Sequence, residues 1–414
     1  MSQVATKPAL KLSEFIPMMA LLTSLVALSI DAMLPALTII GEDLRVADPN
    51  APQLIISMIF LGMSIGQAVF GTLSDSYGRK PTVYFGMVIF IAGCLISWTA
   101  PTLNLLLAGR VLQGFGVSGP RVVVLALVRD QYSGNRMAKI MSYVMMVFIM
   151  IPTVAPALGQ GIMYLADWRS IFLVFIAIGL IAGGWFAVRQ PETLLGEDRK
   201  PLRWQTIGYA LKEIFSNRVA FGYTIAAGLI SGAFLGFLTS IEPILKRQYG
   251  MEEAFAGYFA MCALFIGSAS FVNSRLVERL GMQRLSQLAV TAMTVLALGF
   301  LAYLLLVDRN PALWTLMPYL FATLFCVGIM FGNLNSLAME PMGHIAGIGA
   351  SVVSAMGTLI AFPFSIIIGQ AYDGSSAPMV QGFAFMGLTT LLLMRFIEAG
   401  RKKVPSPKAQ GHRT

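Results

Sequence analysis

Twelve separate runs of about 20 predominantly apolar residues punctuate this 414-residue chain, near 15–38, 53–73, 82–100, 104–128, 138–164, 170–189, 219–242, 255–277, 285–307, 313–338, 346–371 and 379–397. Wound as a helix rising about 1.5 Å per residue, each run matches the ~30 Å hydrocarbon thickness of a bilayer. Inside lipid the backbone N–H and C=O groups have to be satisfied by the chain itself, and helices do this segment by segment. The repetition therefore predicts an all-α integral membrane protein. Composition agrees: 57% of residues are hydrophobic, 12% are charged and mean hydropathy is +0.74, whereas a soluble domain carries roughly a quarter charged residues. The first run follows Lys7 and Lys11, as a secretory signal would. It is too long for a signal core, holds Asp31 and lacks a small-residue cleavage site, so it reads as a retained helix.

The net charge of +9 does not point to nucleic acid, because the basic residues are scattered between apolar runs rather than gathered into a patch. With the amino terminus placed in the cytoplasm, 22 of the 29 lysines and arginines fall in inner loops and tails. Five (Arg45, Arg169, Lys246, Arg247 and Arg309) fall outside, and Arg110 and Arg121 lie within helices. This asymmetry predicts a multi-pass protein of the cell inner membrane with both termini cytoplasmic. Trp98, Trp168 and Trp314 fall at outer helix ends and Trp185 near an inner one, as interfacial indoles do. The longest polar stretch divides the chain into an N-terminal six-helix bundle (1–190), a linker (191–218), a C-terminal six-helix bundle (219–397) and a tail (398–414). Within the linker, Trp204, Ile207, Ala210, Leu211 and Ile214 recur at helical spacing; the segment reads equally as a helix along the membrane surface or as a plain tether. The short, basic, Pro-bearing tail is expected to be disordered. Three cysteines inside apolar runs and two histidines offer no disulfide framework and no metal-ligand spacing. Neither a phosphate loop nor an H-E-x-x-H pair is present, so neither ATP hydrolysis nor intramembrane metalloenzyme chemistry is expected, and no cofactor is implied.

Between the second and third runs lies GTLSDSYGRKP (Gly71 to Pro81), where Gly71 permits close helix approach, Gly78 a tight turn, and Arg79 and Lys80 hold the loop in the cytosol. Asp75 is placed to meet a helix N-terminus or a nearby arginine. The string resembles the signature loop of the major facilitator superfamily, and other segments agree. SIDAMLPAL (Ser29 to Leu37) resembles the D-x-x-L-P-A-L pattern of drug–proton antiporters of the bicyclomycin-resistance (Bcr/CflA) type. RVLQGFG (Arg110 to Gly116) is similar to the superfamily's R-x-x-Q-G-x-G, and LVRDQY (Leu127 to Tyr132) ends that helix as in Bcr/CflA members. PTVAPALGQG (Pro152 to Gly161) resembles the antiporter motif G-P-x-x-G-G, with Ala155 and Gln160 departing from it, and PETL (Pro191 to Leu194) closes the sixth helix. The second half keeps only a degenerate signature loop, NSRLVERLG (Asn273 to Gly281).

The resemblance implies a major facilitator fold, two pseudo-symmetric six-helix bundles around a central cavity, acting as a monomer that exports hydrophobic or cationic drugs and metabolites in exchange for protons. The same fold with a specific amino acid or sugar as cargo, by symport or uniport, is the alternative. Pro152, Pro156 and Gly159 imply a bent fifth helix, which either enforces exchange or is merely kinked. Asp75 and Arg79 would latch the cytoplasmic side.

Four ionisable residues fall within the spans: Asp31, Arg110, Arg121 and Glu242. Each is costly in lipid unless it faces protein or water, and so marks a candidate site. A carboxyl poised between a dry environment and a nearby cation can load and release a proton as a cavity opens to each side, which makes Asp31 the expected proton carrier and Arg110 its partner. Fixing helix packing is the other role open to Asp31. Arg110 and Arg121 stand eleven residues apart, on one face of the fourth helix and about 16 Å from each other, with Gly114 between them expected to thin a cavity wall and Gln113 a candidate to line the cavity and reach cargo. Arg121 either lines the inner cavity or snorkels to the interface. Glu242, at a helix end beside Pro243, reads as interfacial. Gly347, Ser351, Ser354 and Thr358, and Gly328 with Gly332, read as packing stripes. Asn333 and Ser336 could reach cargo or tie helices together, and 25 methionines with 27 phenylalanines suit an adaptable apolar pocket.

Overall fold

The computed structural model describes residues 10–194 and 204–399, together with Glu197 and Arg199. Described secondary structure is helical throughout. The helices are α1 (Leu12–Asp31), α2 (Leu37–Asp43), α3 (Leu54–Tyr77), α4 (Arg79–Trp98), α5 (Leu103–Gln131), α6 (Gly134–Leu165), α7 (Ser170–Arg189), α8 (Trp204–Ser216), α9 (Arg218–Pro243), α10 (Phe255–Leu280), α11 (Met282–Leu306), α12 (Leu313–Met339), α13 (Ala346–Gln370) and α14 (Ala377–Ala399). Among the described residues there are 12 spans long and apolar enough to cross a bilayer, the first of them α1 and α2 together (Leu12–Asp43). The spans alternate in direction, giving one end that carries the Gly78 turn, the Gly134 turn and α8, here the basic face, and an opposite face. The tail beyond residue 399 and most of 195–203 lie outside the described residues.

Two bundles form, α1–α7 and α9–α14. In the first, α5 is sandwiched between α3 and α4; in the second, α9 packs on α13, α12 and α14. They meet along α3–α13 and α6–α10. Glycines let backbones touch in the first bundle: a Cβ on Gly62 would stand 1.9 Å from the Val111 carbonyl oxygen, and one on Gly114 would stand 1.9 Å from that of Ile59. Gly114 is therefore a contact between α5 and α3 and not the thinned cavity wall expected from sequence. In the second bundle Gly228, Gly232 and Gly236 of α9 receive Ile360, Phe364 and Ile368 of α13, a stripe the sequence reading missed. Of the α12 pair, Gly328 meets Ile266 and Ala269 on α10, whereas Gly332 faces open space.

Large apolar side chains such as Val88, Ile181, Val188, Val295 and Leu305 remain exposed around the perimeter. In water they would form patches far beyond what a soluble monomer shows, and in lipid they are the solvent-facing belt. The linker is not a plain tether: Ala210 and Ile214 of α8 are fully buried while Tyr209 and Phe215 face outward, so one side of this helix docks on the bundles. Trp168 is also buried, its indole N–H donating to Asp43 at 3.1 Å, and so acts within the protein rather than as an interfacial anchor.

Candidate functional site

The first span is not the single continuous helix expected from its hydropathy. Pro35 has no N–H to give the carbonyl of Asp31, four residues earlier, so α1 stops at Asp31. The chain then crosses a short 3₁₀ turn, Leu34–Ala36, closed by the Ala36 N–H donating to Met33 at 3.0 Å, and resumes as α2. Asp31 thus lies at a break within the membrane, 4% exposed, and its carboxylate makes no hydrogen bond or ion pair with any described residue. Gly159 of α6 lies against this break: a Cβ there would stand 2.0 Å from the Ala32 carbonyl oxygen. Pro152 and Pro156 sit within the same continuous helix.

Arg110 is completely buried, yet it does not pair with Asp31. Its guanidinium donates to the carbonyls of Ser29 (2.7 Å) and Ile55 (3.1 Å) and to Gln113 Oε1 (2.5 Å), whose amide in turn donates to Cys94 Sγ at 3.2 Å. These bonds clamp α1 two residues before the break, and α3 beside it, onto α5. Arg121, on the same side of α5 as Arg110, makes no hydrogen bond or ion pair with a described residue.

At the basic face, Gly78 turns the chain with φ 108°, a left-handed value that a side chain would strain. This brings the Arg79 side chain onto Asp75 (2.7 Å), Ser74 (2.7 Å) and Asp130 at the end of α5 (2.8 and 3.3 Å). The Glu192 carboxylate accepts from the backbone N–H groups of Arg79 (3.0 Å) and Lys80 (2.9 Å) at the start of α4, where a helix N-terminus favours negative charge. Lys80 donates to the Ala187 carbonyl at 2.9 Å. All these groups belong to the first bundle or to the residues just after α7. The cluster ties α3, α4, α5 and the end of α7 to one another, and Gly71, at the head of the same motif, lies beside Ser351 of α13.

The two bundles are bonded at the opposite face. Glu242, read from sequence as interfacial, is 1% exposed; it accepts the Thr38 hydroxyl at 2.7 Å and lies 3.6 Å from Lys246. Lys246 donates to the Pro35 carbonyl (2.6 Å), Arg247 to that of Pro49 (3.1 Å), and Asn50 and Gln370 exchange side-chain-to-backbone bonds of 3.1 and 2.7 Å. Deeper in, Ser365 donates to Ser57 at 2.9 Å. The clue in the sequence was a Glu-Pro closing an apolar run with a lysine one turn on. Asn333 exchanges amide bonds of 2.7 and 3.3 Å with Asn273 and joins α12 to α10. A groove of about 810 Å³ bounded by Arg284, Leu288, Val295, Leu391 and Arg395 opens on the lipid side of α11 and α14, not beside Asp31.

The chain matches a sequence model described as Major Facilitator Superfamily over residues 19–365. It is 28% identical over 370 residues to a bicyclomycin resistance protein homolog of Haemophilus influenzae, covering 88% of this chain and 91% of that one. It is 26% identical over 399 residues to the multidrug resistance protein MdtL of Escherichia coli, covering 94% and 97%. Among solved structures, a partially occluded inward open conformation of the xylose transporter XylE from E. coli superposes with a TM-score of 0.70 at 14% identity, covering 96% of this chain and 98% of that chain. The human organic anion transporter MFSD10 gives 0.68 at 17% identity, covering 93% and 100%. With a family match across both bundles and twelve membrane spans, the chain belongs to the major facilitator superfamily: it is a membrane-embedded transporter of small molecules, not an enzyme.

Proposed function

We propose that this transporter exports hydrophobic or cationic drugs and metabolites in exchange for protons, by alternating access, as a monomer in the cell inner membrane. The observation that carries the reading is Asp31: a carboxyl buried at a break in a membrane helix, with no partner among the described residues, is a site that a proton or a cationic group of cargo can occupy in turn. The names of the bicyclomycin-resistance and multidrug-resistance relatives support drug cargo. Taking the basic face and both termini as cytoplasmic, the bonds at the opposite face make this the inward-facing arrangement, with residues 1–190 and 219–397 as the bodies that rock. Arg110 acts as a positioning residue that holds α1 against α5 next to the break. Moving one charge through 100 mV supplies about 2.3 kcal/mol, roughly fifty-fold accumulation per proton.

The test is transport in everted vesicles acidified inside, with cargo first chosen by growth of an efflux-deficient host on a panel of toxic compounds. Exchange predicts cargo-driven proton release that Asp31→Asn abolishes. Cargo uptake without proton release, unchanged in Asp31→Asn, would instead mark a uniporter.

A further inference from the structure

Among the described residues, Arg121 is the arginine inside the membrane without a partner. Arg110 spends its guanidinium on two carbonyls and an amide. Arg121 lies ten residues, about 15 Å, from the basic-face end of α5, too deep for its side chain to reach that interface. Nor does it face lipid. Gly114 and Ser118 of the same helix fix the side turned to α3, Gly116 and Pro120 the side turned to α4, and Arg110 the side turned to α1. Eleven residues from Arg110, and so on nearly the same side, Arg121 points between α1 and α3 toward the second bundle. Along this side Arg110, Val117 and Val128 are at 0%, whereas Arg121 is half-buried and Leu125 is 49% exposed, so the opening lies at the level of Arg121 and Leu125. Two turns beyond Arg121, Arg129 approaches Gly347 of α13 across the gap. Arg121 therefore stands at a local opening on the side of α5 between α1 and α3.

Among the described residues no carboxylate stands at its level. Asp31 lies near the depth of Arg110, about 16 Å away along α5, and Glu242 is engaged at the opposite face by Thr38 and Lys246. Asp75 and Asp130 are held by Arg79, and Glu340 sits at the basic-face end of α12. A half-buried guanidinium without a protein partner gains most from a charge-assisted, two-pronged bond to a planar acid.

We propose that Arg121 is the cargo-anchoring residue, and that it selects molecules joining an apolar body to a deprotonated acidic group, zwitterions included. This rests on the proposed export of small molecules from the basic face; it keeps the apolar body of that cargo and adds an acidic group, so a purely cationic molecule is not what Arg121 anchors.

Three fluorescent probes sharing one body test it by titration of the purified chain: N-dansylglycine, its uncharged amide, and a dansyl-ethyl trimethylammonium. The wild type is expected to bind the carboxylate about tenfold or more tighter than the amide. Arg121→Gln should bring that ratio to about one without changing affinity for the amide or the ammonium, and Arg121→Lys should retain part of the preference, since it keeps the charge but not the fork. A wild-type ratio near one overturns the proposal, whether or not either variant folds. So does an Arg121→Gln that binds all three as the wild type does, or loses all three equally with unchanged thermal unfolding. The titration uses no proton gradient, so a chain that shows this preference yet fails to exchange protons would refute the antiport reading and leave the anchor standing.

Discussion

The Thr38 hydroxyl donates to the Glu242 carboxylate at 2.7 Å, joining residues 204 positions apart on two different bundles. Thr38 belongs to the segment beyond the break at Asp31, and the neighbouring Lys246 holds that segment again through the Pro35 carbonyl. Separating the bundles at the opposite face therefore pulls directly on the break that carries Asp31. Thr38→Val leaves the buried Glu242 without its hydroxyl donor, an omission worth about 1–3 kcal/mol. The equilibrium should shift toward opening of the opposite face by on the order of tenfold, read as a longer distance population between spin labels at Arg45 and Glu253. An unchanged distribution would show that this bond does not hold the face closed.

Arg79 predicts a ranking. Its guanidinium is nearly inaccessible and is shared between two carboxylates. Asp130 takes two bonds and is 22% exposed, whereas Asp75 takes one and is 36% exposed. Solvent screens the more exposed pair more strongly. Thermal unfolding in detergent should thus fall most for Arg79→Gln, less for Asp130→Asn and least for Asp75→Asn, with the Asp130 change costing about 1–3 kcal/mol. An Asp75→Asn loss exceeding that of Asp130→Asn would contradict this partition.

What could be read from the chain follows from how local each signal is. The spans were legible because length and apolarity are properties of consecutive residues, and the Asp75–Arg79 pair because the two stand only four positions apart, across the Gly78 turn. The same arginine's bond to Asp130 crosses 51 positions, and Glu192 reaches the start of α4 across more than a hundred; neither leaves a mark on sequence spacing. Pro35 was visible, but the apolar run continued across it, so hydropathy merged α1 and α2 and put Asp31 inside a helix rather than at its end. Glu242 does close its helix beside Pro243, as read, but its burial was not legible, because its partner Thr38 lies in another bundle.

Acid should touch one ion pair outside the spans. Asp373 pairs with Arg309 at 2.8 Å and accepts the Ser375 hydroxyl at 2.6 Å. Burial pushes this carboxyl upward, but the Ser375 hydrogen bonds and the Arg309 charge outweigh it and hold it below the usual carboxylate range. A group depressed in the folded state contributes stability above its unfolded value of about 4, and loses it as pH falls through the folded one. The side chains are 72% and 40% exposed, which limits the pair to about 1 kcal/mol or less. Asp373→Asn should lower Tm by no more than about 2 °C at pH 7 and by progressively less as the pH is taken below 4. A deficit that widens in acid would reverse the sign of this argument.

The strongest constraint on the first bundle is backbone contact. At Gly62 and Gly114 the obstacle to a methyl group is in each case a carbonyl oxygen 1.9 Å away on the facing helix. A carbonyl cannot rotate aside as a side chain can, so α3 and α5 would have to separate along the seam where Arg110 clamps Ile55. Overpacking that shifts backbone costs about 1–3 kcal/mol or more per site. Here it would also open the three bonds that satisfy a buried guanidinium, and loss of such partners is itself strongly destabilising. Gly62→Ala and Gly114→Ala should therefore fail to accumulate as monodisperse protein, or lose transport outright. Gly332→Ala, whose added carbon meets nothing within 4 Å, should match the wild type or gain slightly from better helix propensity. Size-exclusion profiles and Tm of the three variants decide the matter, and a well-folded Gly114→Ala would mean that α3 and α5 sit farther apart than described.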